Sequence, residues 1–314
     1  VNVESRVPAL AGNRADLSGW LLIDKPAGMS SHDVLDRLRR RHRKVKMGHA
    51  GTLDPLATGL LLVAIGSSTR LVEATHALDK SYTARVRLGA VSSTDDADGE
   101  IHARPEVQVP EWDRIETALA GMTGPEVMQV PPAVSAIHVD GKRAYDLVRG
   151  GVEVRLAARP VRIDRITVNR YDWPWLDISV DCGAGTYMRS IARDLGESLG
   201  CGGLIETLRR TRIGPFHVGE ALTLEAAVAA DRLDQVLREP VEALTLWHRF
   251  VIDADQLAKI AMGQAIRIGH ASMDALSVKE IALVDSHGKL VALSRGEPAG
   301  DHLLCRPYRV FVGR

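Results

Sequence analysis

Within residues 48–59 the chain sets a carboxylate, Asp54, and an imidazole, His49, among three glycines. Pro55 follows the acid directly. The residue before a proline is pushed out of the helical region towards extended geometry. Proline itself suits the first position of a helix, so the spacing predicts a helix opening at Pro55 with Asp54 as its N-cap. Backbone N–H groups at such a terminus favour the ionised acid. A negative, preorganised carboxylate is the group that covalent catalysis at a sugar carbon requires. Asp-Pro alone is ordinary turn chemistry, so the surroundings have to decide.

The elements around this loop can be read from pattern. Residues 20–26 read as a short buried strand ending in a turn. Ser30 to Asp33 carry a capping-box pattern, and Val34, Leu35 and Leu38 share one face of the helix that follows. Its far end, residues 37–46, holds seven permanently cationic side chains in ten, with only Asp33 and Asp36 nearby. A charge run is often a solvated face; uncompensated clustering of this density points to phosphate, with Arg40, Arg43 and Lys44 as contacts. Residues 60–65 read as a buried strand and 69–78 as a helix. Residues 81–89 alternate, with Tyr82, Ala84, Val86 and Leu88 on one face and Ser81, Thr83, Arg85 and Arg87 on the other. Tyr82 therefore points inward, where a tyrosine is ordinarily core with a satisfied hydroxyl.

Further along, Asp95, Asp96 and Asp98 invite a calcium-loop reading. With Gly99 sixth, Pro105 falls twelfth, where the bidentate glutamate belongs, so that reading fails and an acidic turn remains. Trp112, Ile115 and Leu119 mark a helix. Two prolines exclude a regular central strand at 129–136. Residues 152–156, 161–168 and 176–180 read as strands, with 171–175 a loop. Glycines then open a helix whose buried positions are Met188, Ile191, Ala192, Leu195 and Leu199. Arg189 lies in its first turn, where a cation opposes the helix dipole and so needs a partner. Leu208, read alone, is a core leucine beside the basic residues Arg209, Arg210 and Arg212. After Leu222 the spacing predicts two amphipathic helices, 224–238 and 253–262. Strands at 281–285 and 289–294 flank a Ser-His-Gly hairpin signal, and one or two more strands follow over 303–312.

The chain has 314 residues, 45% hydrophobic and 25% charged, which suits a globular protein of two domains. Forty basic and forty acidic residues cancel, so any nucleic-acid surface must be local. Three cysteines without C-x-x-C spacing argue against a disulfide framework or zinc site and suit a reducing cytoplasm. The start of the chain has no secretory h-region, and the longest apolar run is too short to span a bilayer. Residues 1–17 read as a disordered leader.

The string from Gly48 to Leu61 resembles the nucleophile motif of the TruB family of tRNA pseudouridine synthases, G-H-x-G-x-L-D-P-x-A-x-G-x-L, and meets every fixed position. Lys80-Ser81-Tyr82 resembles the family's K-x-Y motif. The run from Gly185 to Ser190 resembles its G-T-Y-x-R-S motif. Residues 208–214, the Pro131-Pro132 segment and 141–145 are similar to further family segments. At motif level the resemblance covers residues 18–225. It implies an α+β pseudouridine synthase fold with a central mixed, largely antiparallel sheet. Residues 18–245 would be the catalytic domain, with a weaker likeness of 246–314 to a small β-rich, PUA-like RNA-binding domain.

The same resemblance implies roles. Asp54 is the catalytic residue, and Arg189 pairs with it and holds it ionised. Tyr82 stacks on the target base and is a candidate proton acceptor. Tyr187 lies by the target nucleotide, and Leu208 packs on the flipped base. Arg209 and Arg210 lie close to phosphate, and His49 fills the space the base vacates. The expected reaction is isomerisation of the T-loop uridine of tRNA, position 55, to pseudouridine. No cofactor or metal is expected, and the T-arm of tRNA is the partner of a monomer needing no protein partner. Two rivals share parts of this pattern: a non-catalytic RNA-binding or RNA-folding protein, and a guide-RNA-dependent synthase of the dyskerin type. The co-occurrence of Asp54, Tyr82 and Arg189 speaks against the first.

Overall fold

A ten-stranded mixed sheet forms the body of the protein in the computed structural model. The structure describes residues 17–134, 156–269, 280–300 and 302–312, and the backbone of 138–139 and 142–143. The expected leader, the 141–145 stretch and the 152–156 strand lie wholly or almost wholly outside the described residues.

The sheet runs from a short strand, Leu222–Thr223, through β1 (Gly19–Lys25), β3 (Thr58–Ile65), β8 (Gly203–Ile213), β4 (Lys80–Leu88), β7 (Trp175–Cys182) and β6 (Arg159–Asp172) to β5 (Gly124–Gln129). β2 (Met47–Ala50) pairs with β3. Leu222–Thr223 lies parallel to β1, and β8 lies parallel to β3; the remaining pairs along this path are antiparallel. The sheet is thus largely antiparallel, as the resemblance implies.

Burial explains which strands alternate and which do not. Both faces of β1 and β3 are covered, so their sequences are continuously apolar. Leu21, Ile23, Leu61, Val63 and Ile65 pack against α1 (Ser31–Arg41) and α4 (Leu224–Ala229). Trp20, Leu22, Leu60 and Leu62 join Ala282, Val284, Leu290 and Leu293 from the C-terminal part. β4 is covered on one face only. Its Tyr82, Ala84, Val86 and Leu88 pack with Ile115 and Leu119 of α2 (Trp112–Gly121) and with Met188, Ile191 and Leu195 of α3 (Met188–Leu199). Its other face carries the exposed Arg85, paired with Asp177 across the ladder.

The C-terminal part is a five-stranded sheet in the order β9 (His248–Val251), β11 (Glu280–Val284), β12 (Leu290–Ala299), β13 (His302–Val310), β10 (Ile266–Gly269). α5 (Ala254–Ala261) packs on it through Ile260. Arg309 pairs with Glu73 and Arg70 donates to the Val310 carbonyl, so polar contacts supplement the shared apolar core.

Five expectations need correction. No helix opens at Pro55: residues 54–57 form a turn, with Ala57 N–H donating to the Asp54 carbonyl, and β3 begins at Thr58. α1 stops at Arg41, capped by His42, so Arg43, Lys44 and Lys46 lie beyond the helix in the approach to β2. The 69–78 helix is a 3-10 segment, Gly66–Leu71, and one α-turn, Val72–Thr75. The 224–238 helix ends at Ala229, because the chain turns back to bury Leu233 against the α1 core and to pair Arg238 with Trp20 through backbone bonds. The 171–175 loop shrinks to a tight hairpin, since β6 and β7 extend to Asp172 and Trp175.

Candidate active site

The loop carrying Asp54 is held from three sides. Ser31, at the start of α1, donates its hydroxyl to the Leu53 carbonyl at 3.2 Å and accepts from the Leu53 N–H at 2.9 Å. Lys25, fully buried at the end of β1, donates to the carbonyls of Pro26, Met29 and Pro55. Burial is the main reason its pKa falls to about 8. From beneath, Arg210 on β8 donates to the carbonyls of Gly51, Thr52 and Leu60. The loop passes so close to β8 that a Cβ on Gly59, at φ +96°, would sit 2.2 Å from the Arg210 carbonyl oxygen. Glycine is required there on both counts.

Arg189 meets this loop from α3. Its Nε lies 3.0 Å from Asp54 Oδ2 and 3.5 Å from Asp96 Oδ2. Nη1 donates to the Thr94 carbonyl and Nη2 to the Val134 carbonyl, at 3.0 and 2.9 Å. The helix-dipole penalty of a first-turn arginine is therefore offset by two carboxylates and two carbonyls. The Arg189 side chain is 6% exposed and that of Asp54 38%, so the acid faces the open side of the pair. Asp96 is buried, and burial first of all raises its carboxyl above the usual range, against the lowering effect of the Thr94 hydroxyl at 2.5 Å.

Asp54, Tyr82, Tyr187, Arg189 and Leu208 line one cleft of about 340 Å³, together with Lys80, His76 and Arg210. Tyr82 stands across the ladder from Arg210, and burial pushes its phenol upward. Tyr187 is fixed through its backbone: its N–H donates to Gln129 Oε1 and its carbonyl accepts from Gln129 Nε2. The Arg159 guanidinium lies 5.2 Å from its ring centre.

Other expected site residues lie apart. His49 sits on β2 opposite Val63, outside the cleft lining, with its Nδ1 buried and unpartnered. Burial, then the charge of Arg210, holds its imidazole below the usual pKa. Arg209 points away, in a two-pronged bond to Asp24 at 2.9 and 2.7 Å. Arg40, Arg43 and Lys44 are exposed and do not line the cleft. Arg210, expected as a phosphate contact, lines the cleft. It is 2% exposed, because the inward face of β8 carries it under the Asp54 loop, where its donors meet backbone carbonyls.

Sequence reasoning missed Asp96, Gln129, Lys25 and Ser31 as parts of this site. For Asp96 a signal existed, since a first-turn arginine at α3 needed partners and an acidic turn was in view. Nothing in the spacing shows that the turn reaches it.

Residues 39–188 match the family model "TruB family pseudouridylate synthase (N terminal domain)", and 189–245 match "tRNA pseudouridylate synthase B C-terminal domain". The chain belongs to the TruB family of pseudouridylate synthases. The family makes it an isomerase. It is 42% identical over 287 residues to tRNA pseudouridine synthase B of Paenarthrobacter aurescens, covering 88% of this chain and 91% of that one. It is 39% identical over 300 residues to the Heliobacterium modesticaldum protein of the same name, covering 95% and 96%. Among solved structures, "Crystal Structure of a Cbf5-Nop10-Gar1 Complex" matches with a TM-score of 0.73 and 25% identity, over 94% of this chain and 85% of that one. That match overturns the expectation of a monomer needing no protein partner: the family fold is found there as a component of a multi-protein complex. Among the described residues, no helix is long and apolar enough to cross a membrane.

Proposed function

We propose that this chain converts the T-loop uridine of tRNA, position 55, to pseudouridine, with Asp54 as the catalytic carboxylate. The observation that carries the reading is the Asp54–Arg189 pair at 3.0 Å in a cleft that also contains Tyr82. Isomerisation breaks the N1–C1′ bond, turns the base and joins C5 to C1′. It needs an anionic group at the sugar or ring, a platform for the base and an acceptor for the C5 proton. Asp54 is the anion, and Arg189 orients it by charge-assisted hydrogen bonds. Tyr82 is the platform and the proton acceptor. Tyr187 and Leu208 flank the base.

A uridine in a stacked loop must first be flipped out, and His49, on β2 just ahead of the Asp54 loop, fills the vacated space. The exposed cations at the end of α1 and beyond it, Arg40, Arg43 and Lys44, with Arg209 on another face, track phosphates. Residues 18–245 act as the catalytic domain and 246–314 as a PUA-like RNA-binding domain. The three free, buried cysteines suit a cytoplasmic setting.

Tritium release from tRNA labelled at uridine C5, with the product mapped by position, tests this reading. Stoichiometric release from position 55 is expected. Absence of release, or release only from another uridine, would refute it. The likeness to the Cbf5-Nop10-Gar1 complex favours, as the second reading, a mode that depends on further subunits; turnover of a tRNA transcript by the purified chain alone decides against that mode.

A further inference from the structure

Arg210 is a buried cation that takes no buried acid. On β8 it stands opposite Tyr82 in the ladder and lines the cleft. Nε donates to the Leu60 carbonyl at 2.8 Å, Nη1 to Thr52 at 3.3 Å and Nη2 to Gly51 at 3.0 Å. Among the described residues no carboxylate lies within ion-pair distance of it, whereas its neighbour Arg189 has two. A buried charge is costly unless it is paired, and carbonyl dipoles offset only part of that cost. Its charge acts on the groups around it: after burial, it contributes to the depressed pKa values of Lys25, His49 and Lys80. It also pulls against the burial that raises Tyr82. Bracing the loop needs a donor fork; it does not need a positive field on the face where Tyr82 stands.

We propose that Arg210 stabilises the negative charge that the uracil ring acquires during isomerisation. The inference rests on the cleft being the site of that reaction. When the N1–C1′ bond breaks, its electron pair stays with the base. This holds whether C1′ is captured by the Asp54 carboxylate or the sugar loses its 2′ proton to give a glycal. The charge is shared over N1, O2 and O4. Attack at C6 likewise sends an electron pair towards O4. The charge is discharged when C5 bonds to C1′. That closing frees the Asp54 carboxylate from the carbon it had attacked or, on the glycal route, returns the proton to C2′, after which the C5 proton leaves to an acceptor and N1 takes up a proton. A fixed cation across from the base platform acts on that anion without reorganising, the condition under which electrostatic stabilisation is largest.

The test compares tRNA carrying uridine with tRNA carrying 5-fluorouridine, whose ring anion is intrinsically more stable. Single-turnover loss of the N1-linked nucleoside is measured for the wild-type protein, Arg210→Met and Arg210→Lys, alongside tRNA affinity and thermal melting. Arg210→Met should slow uridine by about 10²-fold, and 5-fluorouridine by at most about a tenth of that factor. Arg210→Lys, with a displaced charge, should show the same selectivity to a smaller degree. Equal slowing of both substrates overturns the proposal and leaves Arg210 a loop brace. If Arg210→Met does not fold, the same comparison in Arg210→Lys decides. Absence of turnover in the wild-type protein overturns the functional reading instead, so the two failures are distinct.

Discussion

Arg189→Lys keeps the charge of the cleft and removes its geometry. The arginine reaches Asp54, Asp96 and the carbonyls of Thr94 and Val134 at once, with Nε and both Nη atoms in use. A lysine presents three protons from one point, and on a straight stem it cannot follow this fork. If it stays with the carboxylates, one or both carbonyls are left buried and unbonded, at about 1–3 kcal/mol each. The pair itself survives, so the roughly 3–5 kcal/mol of a fully broken buried ion pair is an upper bound. We therefore expect a loss of about 2–4 kcal/mol in total. If it all falls on the transition state, that is a drop of roughly 30-fold to 1000-fold in kcat, at 1.36 kcal/mol per decade. Any part that falls on the ground state appears as a lower melting temperature. The assay is tritium release under saturating tRNA, with KM and melting recorded in the same preparations. KM should change little, since Arg189 is 6% exposed and faces an acid rather than a phosphate. A Lys variant with kcat within about threefold of wild type and an unchanged melting point would refute the reasoning.

Asp54→Asn has nearly the same volume without the charge, and should lose at least ~10³-fold in turnover while binding tRNA within a few-fold of wild type; ready turnover by this variant excludes Asp54 as the catalytic group. Tyr82→Phe should slow turnover by about 10²-fold if the hydroxyl accepts a proton, and full activity would reduce Tyr82 to a platform. Replacing Arg40, Arg43 and Lys44 together by glutamine should raise KM for tRNA and flatten its salt dependence, by a little under one unit for each phosphate no longer neutralised, with kcat unchanged. A wild-type salt slope would move the RNA path elsewhere. Lys25 has a pKa of about 8 in the fold and 10.5 when unfolded, so between those values the unfolded chain binds more protons and stability rises with pH. Thermal melts of wild type against Lys25→Met should therefore show the wild type gaining on the variant from pH 8 to 10.5; parallel curves would mean that Lys25 does not titrate in this window.

Periodicity and local chemistry were legible where one element decides them. The alternation of β4 placed Tyr82 inward, the capping box of α1 was visible at Ser30 and Asp33, and the buried stripe of α3 was read residue by residue. The Asp54 loop was legible as a motif but not as a shape. The preference of Asp-Pro for a helix start lost to a tertiary demand, because β3 must begin at Thr58 to pair with Arg209 and Arg210 of β8 through Thr58 and Gly59, and with β1 from Gly59 onward. The burial of Arg210 was not legible either. A cluster of arginines on a strand alternates between faces: Arg209 goes to Asp24 on one side, and Arg210 goes under the active loop on the other. Pairings between distant segments, such as Gln129 with Tyr187, have no local signature at all.

The two acids on Arg189 divide a task that neither could perform alone. Asp54 Oδ2 is the closer, at 3.0 Å against 3.5 Å for Asp96, and its side chain is the more exposed, 38% against 6%. Only Asp54 can meet a substrate that enters the cleft. Asp96 is occupied by the Thr94 hydroxyl and the Asp98 N–H, and it belongs to a turn stitched to β8 by the Ala97 N–H donating to the Ile205 carbonyl and the Ile205 N–H donating to that of Asp95. It is thus a fixed reference on the sheet. Arg189 takes its orientation from that reference and from the Thr94 and Val134 carbonyls, and passes it to Asp54. A carboxylate on a turn between glycines has freedom to lose, and catalysis requires it within a fraction of an ångström of one position. A guanidinium tied to three further acceptors as well as to Asp54 supplies that constraint, while Asp54 keeps its open side towards the substrate.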